Sequence, residues 1–190
     1  MLNRYYQPLT AVIFGLLSIV IVVSAVRLIG VEVGVSDTTV NKYSNVFDVI
    51  HEQRMKFVAE HGVVDPAALV AAVSHSSMAD LLISVAIEES GGDPVAVGSA
   101  GEQGAWQVKA SDWGFVPKDI HGQAWQAERI IRALLLQAKG NSKRALAEYN
   151  GGTVPPGKSY RYAERVLKRA NYLQAVVNSI QPGLSVVRNI

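Results

Sequence analysis

Hydrophobic and polar positions divide this chain into one unbroken apolar run followed by a series of two-faced stripes. The run, Leu9 to Val26 (LTAVIFGLLSIVIVVSAV), holds eighteen residues without a charge. At ~1.5 Å per residue a helix of that length extends about 27 Å, close to the hydrocarbon thickness of a bilayer. Tyr5 and Tyr6 lie just before it, where interfacial aromatics are common. The run predicts a single transmembrane anchor within residues 1–30. An N-terminal signal sequence is the rival, because Val23-Ser24-Ala25 has the small residues of a cleavage site, but the apolar stretch is long for a signal-peptide core. Arg4 and Arg27 flank the run on either side, so charge does not set its orientation. Either reading sends the chain into an export pathway.

After a short linker, residues 31–40, the pattern changes to a helical period. Val46, Val49, Ile50, Met55 and Val58 predict a helix over about Asn41–His61, closed by Gly62. Asp65-Pro66 has the residues that begin a helix, and Ser74–Ser77 offers a cap for the next one. Met78, Leu81, Leu82 and Val85 form one buried face of that next helix, which Gly91, Gly92 and Pro94 stop. Asp112-Trp113-Gly114 and Val116-Pro117 read as loop, with Trp113 either packed in the core or a ring on which a sugar could stack. The stripe Ala127, Ile130, Ile131, Leu134, Leu135 predicts a helix over 123–139, and Ser142 a cap for one ending at Tyr149-Asn150-Gly151-Gly152. A loop at 153–158 and a last helix from Tyr160 to Ile180 complete a mainly α domain over 41–180. The tail, 181–190, carries no readable pattern.

Composition narrows the chemistry. A formal net charge of +2, without a dense basic run interleaved with aromatics, argues against nucleic acid as a partner. The absence of cysteine excludes disulfides, thiol nucleophiles and cysteine metal sites. His51 and His61 have no partners at metal-ligand spacing, so no metal or cofactor is expected.

One acid stands out. The apolar face of the helix from Met78 continues to Glu89, four residues after Val85 and seven after Leu82, whereas Glu88 points about 100° away. A carboxyl at the end of an apolar stripe is desolvated, which raises its pKa and makes it a proton donor near neutral pH. The bland alternative is a solvated glutamate at a frayed helix end. Downstream, Gly98, Gly101 and Gly104 recur every three residues and lead into Trp106 and Gln107. Glycines permit the close approach that an extended polymer needs, Trp106 offers a flat apolar face, and Gln107 a donor and an acceptor. No Gly-Lys-Ser/Thr follows, so this is not a phosphate-binding loop.

These blocks resemble a known family. Glu89-Ser90-Gly91, Asp93-Pro94-x-Ala96, Gly101-x-x-Gly104-x-x-Gln107, then Ala145-Leu146-Ala147-Glu148-Tyr149-Asn150-Gly151-Gly152 and Tyr162-x-x-x-Val166 stand in the order and spacing of the soluble lytic transglycosylase domain, related to goose-type lysozyme. The resemblance covers about residues 78–170. Gly98-Ser99-Ala100-Gly101 departs from the family's Ser-Pro-Ala-Gly, so a serine usual near the catalytic carboxylate is missing. Glu102-Gln103 and Ala105-Trp106 replace the more usual Ala-Met and Leu-Met.

The resemblance implies a lysozyme-like helical domain that cleaves the β-1,4 bond between N-acetylmuramic acid and N-acetylglucosamine in peptidoglycan. It implies Glu89 as a single acid and base: the carboxyl protonates the leaving oxygen, then takes the proton from the sugar's own C6 hydroxyl, leaving a 1,6-anhydromuramoyl end. It further implies that Ser90, Gly101, Gly104, Trp106, Gln107, Tyr149, Asn150 and Tyr162 line the substrate, with the Tyr149 hydroxyl holding the Glu89 carboxyl. From the residues alone, Tyr149 reads as ordinary core and Asn150, with the two glycines after it, as a sharp turn. Asp93, Glu102 and Glu148 are weaker candidates for a second carboxylate, which a lysozyme-type hydrolase of the same bond would need. A cell-wall-binding or assembly component without turnover is the alternative from outside enzymology. The expected setting is a membrane anchored through residues 9–26, with the catalytic domain on the periplasmic side or on a virion membrane. The partners would then be glycan strands and a larger secretion, conjugation or virion assembly.

Overall fold

The structure, a computed structural model, describes residues 37–179. The expected anchor at 9–26, most of the linker and the tail at 181–190 lie outside the described residues. Seven helices dominate, with one two-stranded hairpin between the third and fourth: α1 Asp37–Glu60, α2 Pro66–Val73, α3 Ala79–Ser90, β1 Glu102–Gln103, β2 Val108–Lys109, α4 Ala110–Trp113, α5 Ile120–Gln137, α6 Ser142–Gly151 and α7 Gly157–Ser179. The protein is mainly α. Among the described residues no helix is long and apolar enough to cross a membrane.

Residues 49–179 gather into one compact unit, which α1 joins through its second half. Helix α1 starts at Asp37, inside the segment expected to be linker. An apolar period cannot locate that start, because residues 37–41 (DTTVN) are mostly polar, yet nothing in them breaks a helix. Helix α2 begins as its sequence directs, with Pro66 in the first turn and the Asp65 carboxylate accepting from the Ala68 N–H at 2.9 Å. The expected serine caps are corrected in detail. Met78 caps α3 without a side-chain bond, and Ser76 Oγ instead accepts from the Met78 N–H. Asn141, not Ser142, caps α6. Asp119 caps α5, so His121 and Gly122 lie within that helix.

Helix α3 is the buried axis of the unit: Leu82, Ile83, Val85 and Ala86 have no exposed surface. It packs against α7, α2 and α5, while α6 packs between α5 and α7. Gly91 ends it in the left-handed conformation at φ 69°, and its N–H bonds back to Ala86 O and Ile87 O. Glu89 and Ser90 therefore occupy the last turn of the most buried helix. The glycine segment that follows folds as the hairpin, with Glu102 opposite Lys109 and Gln103 opposite Val108. Strands of two residues are too short to produce an alternating pattern, which is why the segment reads as loop.

A residue that no motif flags holds this hairpin in place. Gln123, 3% exposed, accepts from the Ala105 N–H at 2.9 Å and donates to Pro94 O at 2.9 Å and Pro117 O at 3.0 Å. It ties three loop segments to α5. Gly104 lies against it at φ 76°, where an added Cβ would come within 2.3 Å of its Oε1. Gln123→Leu strands one buried donor and two acceptors, so we expect a stability loss of about 2 kcal/mol in urea denaturation.

Candidate active site

The Glu89 carboxyl is the centre of the site. Its Oε1 accepts a 2.6 Å hydrogen bond from the Tyr162 hydroxyl, reaching from α3 to α7. Burial pushes its pKa up from 4.5 to about 7; the Tyr162 hydrogen bond opposes that rise, and the charges of Glu88 and Glu102 add to it. The residue is partly buried rather than sealed in the core. Burial and the neighbouring carboxylate hold the Tyr162 hydroxyl well above its ordinary pKa, so it remains a donor. Loss of that hydroxyl removes the one contact that lowers the Glu89 pKa. In Tyr162→Phe, the carboxyl resonance followed by carbon NMR is expected to titrate at higher pH than in wild type.

Glu88 has the opposite fate. Arg165 reaches its Oε1 at 2.7 Å, and both terminal nitrogens of Arg169 reach its Oε2 at 3.2 Å. The 100° turn between adjacent helix positions separates two carboxyls. One is paired by α7 cations, and the other lies beside α7's tyrosine with no cation paired to it among the described residues.

The Tyr149 hydroxyl does not hold Glu89. It donates to Trp106 O at 2.7 Å, and the contact expected of it belongs to Tyr162. Burial, with the Glu89 charge adding to it, raises the Tyr149 pKa well above its usual range. Its position at the end of α6 makes it a strut under the hairpin, because Trp106 connects β1 to β2.

Trp106 is likewise not a platform for sugar. The ring is fully buried, and its indole N–H donates to Leu82 O at 3.0 Å, so it is core under the hairpin. A bulky ring preceded by glycines is equally consistent with a core plug in a tight loop. Ser90 faces inward too: its Oγ donates to Ala105 O at 2.8 Å and accepts from the Asp93 N–H at 3.0 Å. It fastens the hairpin to the helix turn that carries Glu89.

Gln107 occupies the left-handed region at φ 46°, a strained setting for a residue with a side chain. Its Nε2 donates to Gly104 O at 2.9 Å and Ala96 O at 3.4 Å, which stabilises that conformation. Gly101, at φ 85°, is an exposed turn with open space beside it. Asn150 is exposed in the last turn of α6; the helix continues through Gly151, and the turn falls at Gly152, φ 76°.

The candidates for a second carboxylate separate clearly. Glu148 is buried and receives Arg144 Nε at 2.8 Å, with its other oxygen unpartnered among the described residues. Asp93 accepts from the Val95 N–H and organises its own turn. Glu102 is held below the normal carboxylate pKa by its own backbone N–H first, then by the Ala100 N–H at 3.0 Å and by Lys109 3.8 Å away. Its charge is felt at Glu89. Among the described residues no group of three or more His, Asp or Glu could hold a metal ion.

Sequence reasoning missed Gln123 and the Arg165–Glu88–Arg169 cluster. Gln123 had a signal, since it lies four residues before Ala127 and seven before Ile130 on an apolar stripe. The arginines had none, because pairing across 77 and 81 residues leaves no local pattern. No family model, curated protein or solved structure matches this chain.

Proposed function

We propose that this protein is a peptidoglycan lytic transglycosylase of lysozyme-like fold, with Glu89 as its acid and base. The observation that carries the reading is the Glu89 carboxyl itself: partly buried, pushed up to about 7, and bonded to a tyrosine that stays protonated. A group with that pKa is protonated in useful amount at neutral pH and becomes a competent base once it has given its proton away. The ordered motifs at Glu89–Gln107, Ala145–Gly152 and Tyr162–Val166 supply the substrate class.

In this mechanism Glu89 protonates the glycosidic oxygen between N-acetylmuramic acid and N-acetylglucosamine. The resulting carboxylate, steadied by the Tyr162 hydroxyl, removes the proton from the C6 hydroxyl as its oxygen closes on C1. The product is a 1,6-anhydromuramoyl end. Attack from within the same sugar has a high effective molarity and requires no second carboxylate to activate water. Ser90, Tyr149, Trp106 and Gln123 hold the hairpin beside the acid, and Gln107 and Asn150 remain the polar groups offered to the glycan. The apolar run at 9–26 would anchor this activity to a membrane, confining cleavage to the place where a secretion, conjugation or virion assembly must pass the wall.

Hydrolysis of the same bond is the second reading, and Glu102 is the observation that favours it. This charged carboxylate, close enough to influence Glu89, would serve as the base for a water. Mass spectrometry of products released from purified peptidoglycan by the full-length protein in detergent separates the readings. Anhydro-ended muropeptides are expected. Reducing ends would replace the transglycosylase with a hydrolase using Glu102, and no release by the folded protein would leave a wall-binding component without turnover.

A further inference from the structure

A concave site is lined by residues other than those around the candidate acid. The α4 helix, the loop after it and one face of α5 enclose a cleft of about 270 Å³ lined by Trp113, Phe115, Pro117, Trp125, Gln126 and Arg129, among others. None of the residues assigned to the Glu89 site lines it. Three aromatic rings are displayed here rather than buried, with Trp113 at 45%, Phe115 at 77% and Trp125 at 60% exposure. Exposed aromatics grouped around one concavity mark a binding site, whereas rings needed for packing would turn inward.

The cleft's polar groups narrow the ligand. Arg129 lies over the Trp125 ring, its Cζ 4.6 Å from the centroid, and makes no salt bridge among the described residues. Its guanidinium is thus fixed by stacking, while its donors are uncommitted to any carboxylate. Gln126, 7% exposed, anchors the wall by donating from Nε2 to Phe115 O at 2.9 Å. Its Oε1 is buried and has no hydrogen-bond partner among the described residues.

We propose that this cleft binds one sugar ring of a peptide-free stretch of wall glycan, where the lactyl carboxyl of N-acetylmuramic acid is not tied up in an amide, stacked on the exposed aromatics with that carboxylate on Arg129. The assignment rests on the wall-glycan reading for the substrate class and on the cleft's own chemistry for the choice of ring. Flat apolar faces suit a pyranose, and the unpaired cation selects an acidic sugar over a neutral one. A volume below the usual range for drug-sized ligands suits one ring rather than a long strand. A purely apolar partner would leave Arg129 desolvated without a counter-charge. The cleft would hold a strand at a second point while the Glu89 site cuts it.

Indole resonances test this directly, because the chain has three tryptophans and two line the cleft. The full-length Glu89→Gln protein in phosphatidylcholine nanodiscs, nitrogen-15 labelled at tryptophan, is titrated with N-acetylmuramic acid or with neutral N-acetylglucosamine. Trp113→Phe and Trp125→Phe assign the signals. Trp113 and Trp125 should move saturably while buried Trp106 stays still. N-acetylglucosamine should bind about tenfold more weakly, the scale of one charge-assisted hydrogen bond. Arg129→Gln should erase that difference and leave the Trp106 signal unchanged as a mark of intact folding. Three results would overturn the proposal: no movement with either sugar, equal response to both, or movement on raising protein concentration alone, which would make the cleft a surface for a second copy. Wall cleavage by the wild type beside a silent cleft would sink this site alone. Sugar binding in the cleft without cleavage would sink the enzyme reading alone.

Discussion

Glu89→Gln should abolish release of wall fragments, with cleavage falling by about 10²- to 10⁴-fold, the usual contribution of a positioned general acid–base group. The amide keeps the shape of the carboxyl and can still accept from Tyr162, so the loss reports proton transfer rather than collapse of the site. The wild type should show the matching pH profile. The reaction begins with a protonated carboxyl whose pKa is about 7, so kcat/KM is level below that pH and falls about tenfold per pH unit above it. Retained cleavage by the glutamine variant would show that another group supplies the proton. A falling limb centred near 4.5 would mean that the carboxyl is solvated in the working enzyme.

The same carboxyl makes folding depend on pH, and the sign is unusual for a glutamate. Its folded pKa lies above its unfolded one, so the native state holds a proton that the unfolded chain has released. Below pH 4.5 both states are protonated and stability carries no penalty. As pH rises toward 7 the unfolded state is progressively favoured, and above 7 the penalty is constant. The interval from 4.5 to about 7 corresponds to about 3 kcal/mol. Urea denaturation at pH 4.5 and pH 8 should therefore show wild type losing that much more stability than Glu89→Gln. The variant should be the more stable protein at pH 8 and the inactive one, a trade expected where an active group is held against its solvation. Equal losses in the two proteins would place the carboxyl in water.

How far the sequence discloses this arrangement depends on the distance over which each feature is determined. Helices α2, α3, α5 and α7 follow from local stripes, from Pro66 and from Gly91. The burial of Glu89 follows from the same period, since Leu82, Val85 and the glutamate share a face. What the period cannot give is the partner across the interface. Tyr149 and Tyr162 are both tyrosines on late helices, and only the packing of α6 and α7 decides that the first supports Trp106 and the second reaches the carboxyl. Trp106 was misleading for a related reason. A ring beside glycines is sticky or structural according to which way a short hairpin turns, and two-residue strands leave no alternation from which to read it. Gln123 was within reach, as an amide continuing an apolar stripe.

If Glu89 is the acid proposed above, its dependence on α7 sets when that acid is complete. The tyrosine that steadies the acid and both arginines that neutralise its neighbour lie between Tyr162 and Arg169, more than seventy residues downstream. A nascent chain emerging from the ribosome therefore carries Glu89 and Glu88 without these partners until Arg169 has been made. On the proposed activity, synthesis itself would act as a safety catch, because a product cut short before Gly157 would lack the tyrosine on which the acid relies.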